Sequence, residues 1–313
     1  MNRIFYECKD VTAPSGGVRR LYRHVEILNR HGFQAYVLHH TPGFKPTWFE
    51  TNAPRAYWTE ELKLDGDDVM VMPASHPDVI IRTTGAEYER VVIALGWAFI
   101  YAGLPLGSDW RHFGIRHVIA GGMYEREFVL KSMGLESTVI ASGVDFTLFQ
   151  PAERKKCQVA YMPRKNQNWF HMIASIFRSR GGDNADVPLV PIDRMSHREV
   201  GQLLSESAVF LNTAFPEGLA RPPLEAMACG CLVVGFAGRG PLEYMRHEEN
   251  CLIADDMDVL TAADHLATAI DRFRKGEAAE MQAAARRTAS AYSLEREEER
   301  VVQYWTQFFS GRA

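Results

Sequence analysis

The chain has 313 residues, of which 46% are hydrophobic and 24% charged, and both fractions are typical of globular proteins. This length predicts two domains, or one large one. The formal net charge of −4 argues against a nucleic-acid-binding protein, which usually has a basic domain. The longest apolar stretch, residues 91–106, contains two glycines and a proline and is shorter than the ~20 residues that span a bilayer.

Short β-branched runs alternate with amphipathic segments along the whole chain. In chain order, the predicted strands are residues 4–6, 35–39, 68–72, 91–95, 117–120, 137–141, 158–161, 188–190, 208–212, 231–236 and 251–254. Predicted helices lie between most of them, and the apolar spacing that starts at Val18 marks the first. Residues 262–273 and 294–309 are two further helical segments. The alternation, with continuous apolar strands, predicts doubly wound parallel α/β sheets.

The series of strands is interrupted once, by the polar, proline-containing residues 150–156. We therefore expect residues 1–150 to form a first Rossmann-like domain and residues 151–290 a second one. We expect residues 291–313 to form a helix that crosses back to the first domain. Two such domains facing a cleft imply hinge closure on ligand binding, with residues 150–156 as the hinge.

The most informative segment is residues 212–243, which read NTAFPEGLARPPLEAMACGCLVVGFAGRGPLE. Glu217 follows the carboxyl end of a predicted parallel strand, where open α/β sheets bind ligands. Two prolines fit the first turn of the next helix, which includes Glu225. A helix N-terminus favours an anion and a carboxylate accepts hydrogen bonds from a diol, which together suit a nucleotide sugar. These residues alone favour equally an alternative without a ligand, in which Glu225 caps a helix and Glu217 is a solvated loop residue.

This segment resembles the signature of retaining GT-B glycosyltransferases of the GT4 type, also called glycosyltransferase group 1. The family pattern is E-G-(F)-G-(L)-P-x-L-E-A-M-A-x-G-x-P-V-V, and Glu217 and Glu225 have its spacing, with seven residues between the glutamates. The resemblance implies that Glu225 binds the ribose hydroxyls of the donor and that Glu217 contacts the donor sugar near the reacting carbon. It also implies that the backbone amides of Gly218, Leu219 and Ala220 face the sugar or the phosphates.

Other landmarks follow in the family's order, so the resemblance covers most of the chain. Gly16 and Gly17 follow the first predicted strand and open a helix, as in the family's N-terminal glycine loop, which implies a close approach to the diphosphate. Segments 142–151, 238–243 and 250–256 resemble the family's N-G-V-D…F-x-P, G-G-x-x-E and N-G-x-L-x…D stretches.

A basic pair follows the first predicted strand of the second domain, where the family places charges that stabilise the departing diphosphate. Arg164 and Lys165 stand at this place, and both side chains suit phosphate oxygens. Because the two are adjacent, they would point opposite ways on an extended backbone, which leaves open which one reaches the phosphates. A solvated basic loop is the alternative.

The first domain departs from the family at the histidine that many members have after the fourth strand, beside the transferred sugar. Trp97 stands near that place, and we expect it either to stack on a sugar face or to be a core or interface aromatic. His39 and His40 end the second predicted strand and would face the cleft, whereas His112 fits a surface loop better. The sequence assigns no catalytic histidine.

The resemblance implies an enzyme that transfers a sugar from a nucleoside-diphosphate sugar to a hydroxyl acceptor, a glycan or a lipid-linked one, in bacterial glycan or glycolipid synthesis. Cationic side chains and amides would stabilise the leaving group, so we expect no metal and no other cofactor. A sugar-nucleotide epimerase or hydrolase of the same fold and a non-catalytic nucleotide-sugar-binding protein are the alternatives.

The five cysteines include no CxxC and the first residues have no apolar signal region, so we expect reduced thiols in a cytoplasmic protein. Arg19, Arg20, Arg23 and Arg30 lie on the first predicted helix of an otherwise acidic chain. We expect this face either to make weak peripheral contact at the inner face of the membrane or to be a solvated basic surface.

Overall fold

The structure of the protein is a computed structural model that describes residues 2–311. These residues form two compact units, one of residues 2–141 with 297–311 and one of residues 142–296. The division falls before residue 142 rather than at 150, because the Val144 amide donates to the Tyr292 carbonyl inside the second unit. The expected hinge, residues 150–156, therefore lies within that unit. The expected ranges also included residues 1, 312 and 313, which lie outside the described residues.

The described residues contain twelve strands and nine α-helices. The strands are β1 (Arg3–Glu7), β2 (Gln34–His39), β3 (Arg55–Tyr57), β4 (Val69–Pro73), β5 (Glu89–Ala94), β6 (His117–Ala120), β7 (Thr138–Val139), β8 (Lys156–Tyr161), β9 (Leu189–Pro191), β10 (Ser207–Asn212), β11 (Leu232–Phe236) and β12 (Leu252–Ala254). The helices are α1 (Gly16–Arg30), α2 (Pro77–Arg82), α3 (Met123–Met133), α4 (Gln167–Ser179), α5 (His197–Glu206), α6 (Arg221–Ala228), α7 (Val259–Lys275), α8 (Ala279–Ser290) and α9 (Leu294–Ser310). Of the strands, β3 was not predicted, because its three residues are all partly exposed and lack an apolar pattern.

The first unit is built on a seven-stranded parallel sheet in the order β3-β2-β1-β4-β5-β6-β7. Successive side chains of a strand point to opposite faces, so the central strand β1 serves two cores. Ile4 and Tyr6 pack with residues of α1 and α9, whereas Phe5 packs with residues of α2 and α3. The sheet is therefore covered by helices on both faces, as the alternating pattern predicts.

The arginines of α1 are largely engaged within this unit. Arg23 Nε donates to Glu297 at 2.7 Å, and Arg30 donates to Glu298 at 2.5 Å. Arg20 is only 6% exposed. Acidic residues of α9 thus pair with two of the arginines on the expected basic face of α1, while the Arg30 side chain stays 51% exposed. The pairing lowers the positive charge that this face would offer to a membrane surface, and membrane contact stays a prediction.

Among the helices of residues 2–311, none combines the length and the apolar character needed to cross a membrane.

The second unit is built on a five-stranded parallel sheet in the order β12-β11-β10-β8-β9. Val209 and Leu211 of β10 face a core formed with α4 and α7, and α5 and α6 also contact the sheet. Parallel neighbours end at the same edge, so the loops after β8, β10, β11 and β12 lie side by side there. This edge contains the segment that the sequence singled out.

Candidate functional site

The loops after β8 and β10 are tied together by side chain to backbone hydrogen bonds. Asn166 Nδ2 donates to the carbonyl oxygens of Thr213 and Phe215, at 2.9 and 2.8 Å. The Thr213 hydroxyl donates in return to the Lys165 carbonyl at 2.9 Å. These bonds hold the basic loop of Arg164 and Lys165 beside the loop of Glu217.

Lys165 and Glu217 form an ion pair in which the Lys165 Nζ donates to the Glu217 Oε1. The Lys165 side chain is 55% exposed and that of Glu217 is 19% exposed. The structure thus brings together one of the two expected cations and the expected sugar-contacting carboxylate. Arg164 is exposed on the same loop.

The backbone of Glu217 is fixed by the loop after β11. The Glu217 amide donates to the Gly238 carbonyl at 3.1 Å, and the Gly240 amide donates to the Glu217 carbonyl at 3.3 Å. A Cβ atom on Gly240 would lie only 2.0 Å from the Gly218 carbonyl oxygen. Glycine is therefore required at residue 240, because the two backbones approach too closely for a side chain.

Three backbone amides in the loop before α6 are available to bind an anion. The amides of Gly218, Leu219 and Ala220 donate no hydrogen bond to another residue within the described range 2–311. Pro222 and Pro223 have no N–H, so the first turn of α6 offers fewer donors than an ordinary helix N-terminus. The loop amides, rather than the helix end itself, are thus the main backbone donors at this place.

Ala220 precedes α6 in an unusual backbone conformation, with φ 50° and ψ 97°. In the family pattern the corresponding position is glycine, which adopts positive φ at little cost. The Tyr244 hydroxyl donates to the Ala220 carbonyl at 2.7 Å, which holds the loop in place. Burial raises the pKa of Tyr244 well above its ordinary value, so this hydroxyl remains a donor.

Glu225 lies on α6 with its side chain only 6% exposed. His197 Nε2 is 3.4 Å from the Glu225 Oε1, and Arg221 Nε is 3.9 Å from the same oxygen. A carboxylate only accepts hydrogen bonds, so Nε2 of His197 has the proton. The His197 ring also packs against Phe149, with centroids 4.9 Å apart. The buried carboxylate is thus oriented by two basic side chains.

The sequence did not single out His197. The local signal near it is the pair Ser196 and Glu199, which form a capping box at the start of α5. That box marks a helix start and indicates nothing about a partner on α6. Only the structure shows that the first residue of α5 contacts the buried carboxylate.

In the first unit, Gly16 and Gly17 begin α1, as expected. The N-cap is Ser15, whose Oγ accepts from the Val18 amide at 3.4 Å. A Cβ atom on Gly17 would lie 3.3 Å from the Leu95 Cδ1, a tight contact with a side chain that can move. The structure thus places these glycines at the carboxyl edge of the first sheet, after β1.

The aromatic and histidine candidates of the first unit have mainly structural contacts. The Trp97 ring meets Tyr124 edge-on at 5.7 Å and the tilted ring of Phe128 at 6.0 Å. These contacts favour a packed aromatic over a free stacking platform for a sugar. His112 is part of a capping box, since its Nδ1 accepts from the Asp109 amide.

His39, the last residue of β2, and His40, which follows it, are both hydrogen-bonded to carboxylates. His39 Nδ1 donates to Asp10 at 2.9 Å, and its Nε2 accepts from the Tyr22 hydroxyl at 2.6 Å. His40 Nε2 donates to Glu7 at 2.7 Å. His39 therefore has both ring nitrogens occupied, whereas His40 uses one.

Residues 191–290 match the family model described as "Glycosyl transferases group 1". The match includes both glutamates of the site and leaves out Arg164 and Lys165. Over 92 residues the chain is 37% identical to an alpha-1,6-glucosyltransferase of Actinobacillus pleuropneumoniae serotype 7 (strain AP76). That alignment covers 29% of this chain and 28% of the relative, so it spans little more than a quarter of the relative's length.

Solved structures resemble the chain over nearly its whole length. Sucrose-phosphate synthase from Thermosynechococcus elongatus has a TM-score of 0.74 at 14% identity, covering 99% of this chain and 100% of that one. HepE of Anabaena in complex with UDP and glucose has a TM-score of 0.74 at 15% identity, covering 97% and 99%. The chain has the GT-B fold. At these identities the likeness shows the fold alone.

Proposed function

We propose that the protein is a retaining glycosyltransferase of the GT4 type that binds a nucleoside-diphosphate sugar in residues 142–296 and transfers the sugar to a hydroxyl acceptor. The observation that carries the proposal is the ion pair of Lys165 with Glu217 at the carboxyl edge of the second sheet, on the loop that leads into α6 and its buried Glu225. The group 1 family match over residues 191–290 and a structural neighbour described with UDP and glucose support it.

In this proposal, each group of the site has one role. Glu225 binds the ribose hydroxyls, and Glu217 contacts the donor sugar near the reacting carbon. The amides of Gly218, Leu219 and Ala220 bind phosphate or sugar oxygens. Hydrogen bonds to a charged carboxylate are stronger than those between neutral groups, and the low exposure of Glu225 strengthens them further.

The leaving diphosphate is stabilised by charge without a metal ion. Negative charge grows on the diphosphate as the bond to the anomeric carbon breaks, and donors aimed at that charge lower the barrier. Lys165 and Arg164 are the cations, and Lys165 exchanges its partner Glu217 for phosphate oxygens when the donor binds. Activity is therefore expected to persist with a metal chelator. The donor contacts expected of Gly16, Gly17 and Trp97 in the first unit stay predictions from the sequence.

The acceptor is proposed to be a glycan or lipid-linked hydroxyl in bacterial glycan or glycolipid synthesis. A cytoplasmic location is proposed with it, supported by five cysteines that are all free thiols.

Calorimetric titration with UDP, GDP and dTDP, alone and as sugar conjugates, tests the proposal. Glu225→Ala is expected to weaken nucleotide binding about 10- to 100-fold, the loss that follows removal of a charged hydrogen-bonding group. Glu217→Ala is expected to abolish transfer while nucleotide still binds. Glu206→Gln is the matched control, because Glu206 is the last residue of α5, directly before the amino end of β10, and pairs with Lys156.

The same variants separate the proposal from its alternatives. An NMR time course of a bound nucleotide sugar is expected to show slow hydrolysis that Glu217→Ala removes. Fast turnover without an acceptor would indicate an epimerase or hydrolase instead. Binding without any turnover, indifferent to Glu217, would indicate a binding protein. A wild-type chain that binds none of the nucleotides contradicts the proposal.

A further inference from the structure

A buried carboxylate and two histidines meet at the carboxyl edge of the first sheet. Glu7 ends β1 and is 0% exposed. Its Oε1 accepts from His40 Nε2 at 2.7 Å, and its Oε2 accepts from His76 Nδ1. His40 follows β2 and His76 follows β4, the two strands that flank β1. The three side chains thus come from consecutive strands of the sheet.

This place is the topological switch point of the first sheet. From β1 the chain first extends the sheet through β2 and β3, and then on the other side through β4 to β7. In open α/β sheets, ligands bind outside the carboxyl ends of the strands where the order reverses. Glu7 ends β1 and His76 follows β4, the two strands at that point. The cluster therefore occupies the position where this fold accommodates a ligand.

Glu7 determines which nitrogen of each ring remains available. An ionised carboxylate only accepts, so His76 has its proton on Nδ1 and His40 has one on Nε2. Within residues 2–311, neither Nε2 of His76 nor Nδ1 of His40 has a hydrogen-bond partner. The side chain of His40 is 33% exposed and that of His76 is 11% exposed. Two ring nitrogens are thus left for a ligand.

The charges of the cluster select the kind of ligand. Burial acts to raise the pKa of Glu7, but the hydrogen bonds from His40 and His76 lower it below its ordinary value, so Glu7 stays ionised. The hydrogen bond to Glu7 raises the pKa of His40, and positive charge on that ring offsets part of the negative charge of Glu7 and of Asp10, which accepts from the His40 amide. The offset charges attract neither an anion nor an organic cation strongly, and residues 2–311 contain no group of His, Cys, Asp and Glu side chains that could hold a metal ion. A neutral group that both donates and accepts hydrogen bonds fits best.

We propose that Glu7, His40 and His76 form a binding site for a hydroxyl group of a carbohydrate or polyol. Nε2 of His76 accepts the hydroxyl proton, Nδ1 of His40 bonds to the same or a neighbouring hydroxyl, and Glu7 is the positioning residue that orients both rings. The site itself does not depend on the proposed function. Only the identification of the bound hydroxyl compound as the acceptor rests on it.

NMR of the full chain with isotope-labelled histidine rings tests the site. The free protein is expected to show His76 with its proton on Nδ1. Titration with methyl α-D-glucopyranoside is expected to shift the Nε2 resonance of His76 along a saturable curve, whereas inorganic phosphate leaves it unchanged. A proton on Nε2, no saturable shift with the glucoside, or an equal shift with phosphate would overturn the proposal.

Variants distinguish a binding role from a structural one. His76→Gln is expected to abolish the glucoside response of His40, and Glu7→Gln to mix the two tautomers of His76. His31→Gln is the control, because His31 is exposed in the same unit and pairs with Glu298. If Glu7→Gln does not fold, His76→Gln alone decides, and a retained His40 response would overturn the proposal.

UDP titration of His76→Gln separates this inference from the proposed function. UDP affinity is expected to equal that of the wild-type chain, because the proposed nucleotide contacts lie in residues 142–296. A wild-type chain that binds no nucleoside diphosphate but responds to the glucoside would contradict the proposed function alone. A chain that binds UDP and ignores the glucoside would contradict the hydroxyl site alone.

Discussion

Ala220 occupies a backbone conformation that costs free energy in an alanine. A sparsely populated region such as φ 50°, ψ 97° costs on the order of 1–3 kcal/mol, whereas glycine adopts it freely and loses about 0.5–1 kcal/mol through its unfolded-state entropy. Ala220→Gly is therefore expected to raise the free energy of unfolding by about 1 kcal/mol. Urea unfolding of both proteins measures the difference.

The control for Ala220→Gly is the same change at an ordinary helical conformation. Ala185 has φ −60° and ψ −34° and is exposed. Ala185→Gly is expected to lower the free energy of unfolding by about 0.5–1 kcal/mol, the usual cost of glycine. If both changes destabilise the protein equally, residue 220 is not strained.

His197 is expected to act on nucleotide binding through Glu225. His197→Ala removes the Nε2 donor from the carboxylate, and loss of one such bond is expected to weaken UDP binding about 3- to 10-fold. His197→Gln offers an amide N–H in its place and is expected to recover part of the affinity, as calorimetric titration would measure. His171→Ala, an exposed histidine of α4, is the control and is expected to leave the affinity unchanged. An effect of the same size at both histidines would refute this role.

At the scale of elements, α1 and α9 are joined by a buried carboxylate. Burial acts to raise the pKa of Glu297, but His24, whose Nε2 lies 3.7 Å from the Glu297 Oε1, and the charges of Arg20 and Arg23 outweigh it and lower the pKa to about 2. A carboxyl pKa that is lower in the folded state stabilises the protein above its ordinary pKa. This contribution is lost as the pH falls from the ordinary value of 4.5 towards 2.

Glu297→Gln is expected to remove this pH-dependent contribution. The shift of the pKa from 4.5 to about 2 corresponds to about 3 kcal/mol of unfolding free energy at neutral pH. The difference in unfolding free energy between Glu297→Gln and wild type should therefore narrow as the pH falls to 2. Thermal unfolding at several pH values measures it. Glu298→Gln, at a more exposed pair with Arg30, is expected to cost within about 1 kcal/mol. A pH-independent gap between Glu297→Gln and wild type would be the contrary result.

At the scale of the whole molecule, the sequence predicts the features that depend on local pattern. The sequence predicts β4 and β5 from their apolar runs, and it predicts the pair of Glu217 and Glu225 from their fixed spacing. Each of these patterns lies within one short segment. The short edge strand β3 escapes prediction, since it buries no residue fully.

The polar contacts within each unit cannot be predicted from the local sequence pattern. Lys165 and Glu217 are 52 residues apart, and Glu7 and His76 are 69 residues apart. Each pair meets only because parallel strands end at one edge of a sheet. Residues at the ends of different strands are not related by any regular spacing in the sequence. Which of them meet depends on the order of the strands in the sheet, and the sequence pattern did not specify that order.

The last helix completes the first unit although it follows the second unit in the chain. Val301 and Trp305 of α9 are fully buried in the core of the first sheet, and Trp305 Nε1 donates to the Tyr6 hydroxyl at 3.0 Å. Trp305→Ala alone would be expected to cost about 3–5 kcal/mol, a large share of a domain's total stability. A chain that stops after Arg296 is therefore expected to unfold its first unit.

Hydrogen exchange measured for each strand tests this expectation. In the chain that stops after Arg296, the amides of β1 and β4 are expected to lose their protection, because the core on the α9 side of the sheet is opened. The amides of β8 and β10 are expected to keep theirs, because their core contains no residue of α9. Gln303→Ala, an exposed change on α9, is the control and should leave both sets protected. Retained protection of β1 and β4 in the shortened chain would mean that α9 is not needed for the first unit to fold.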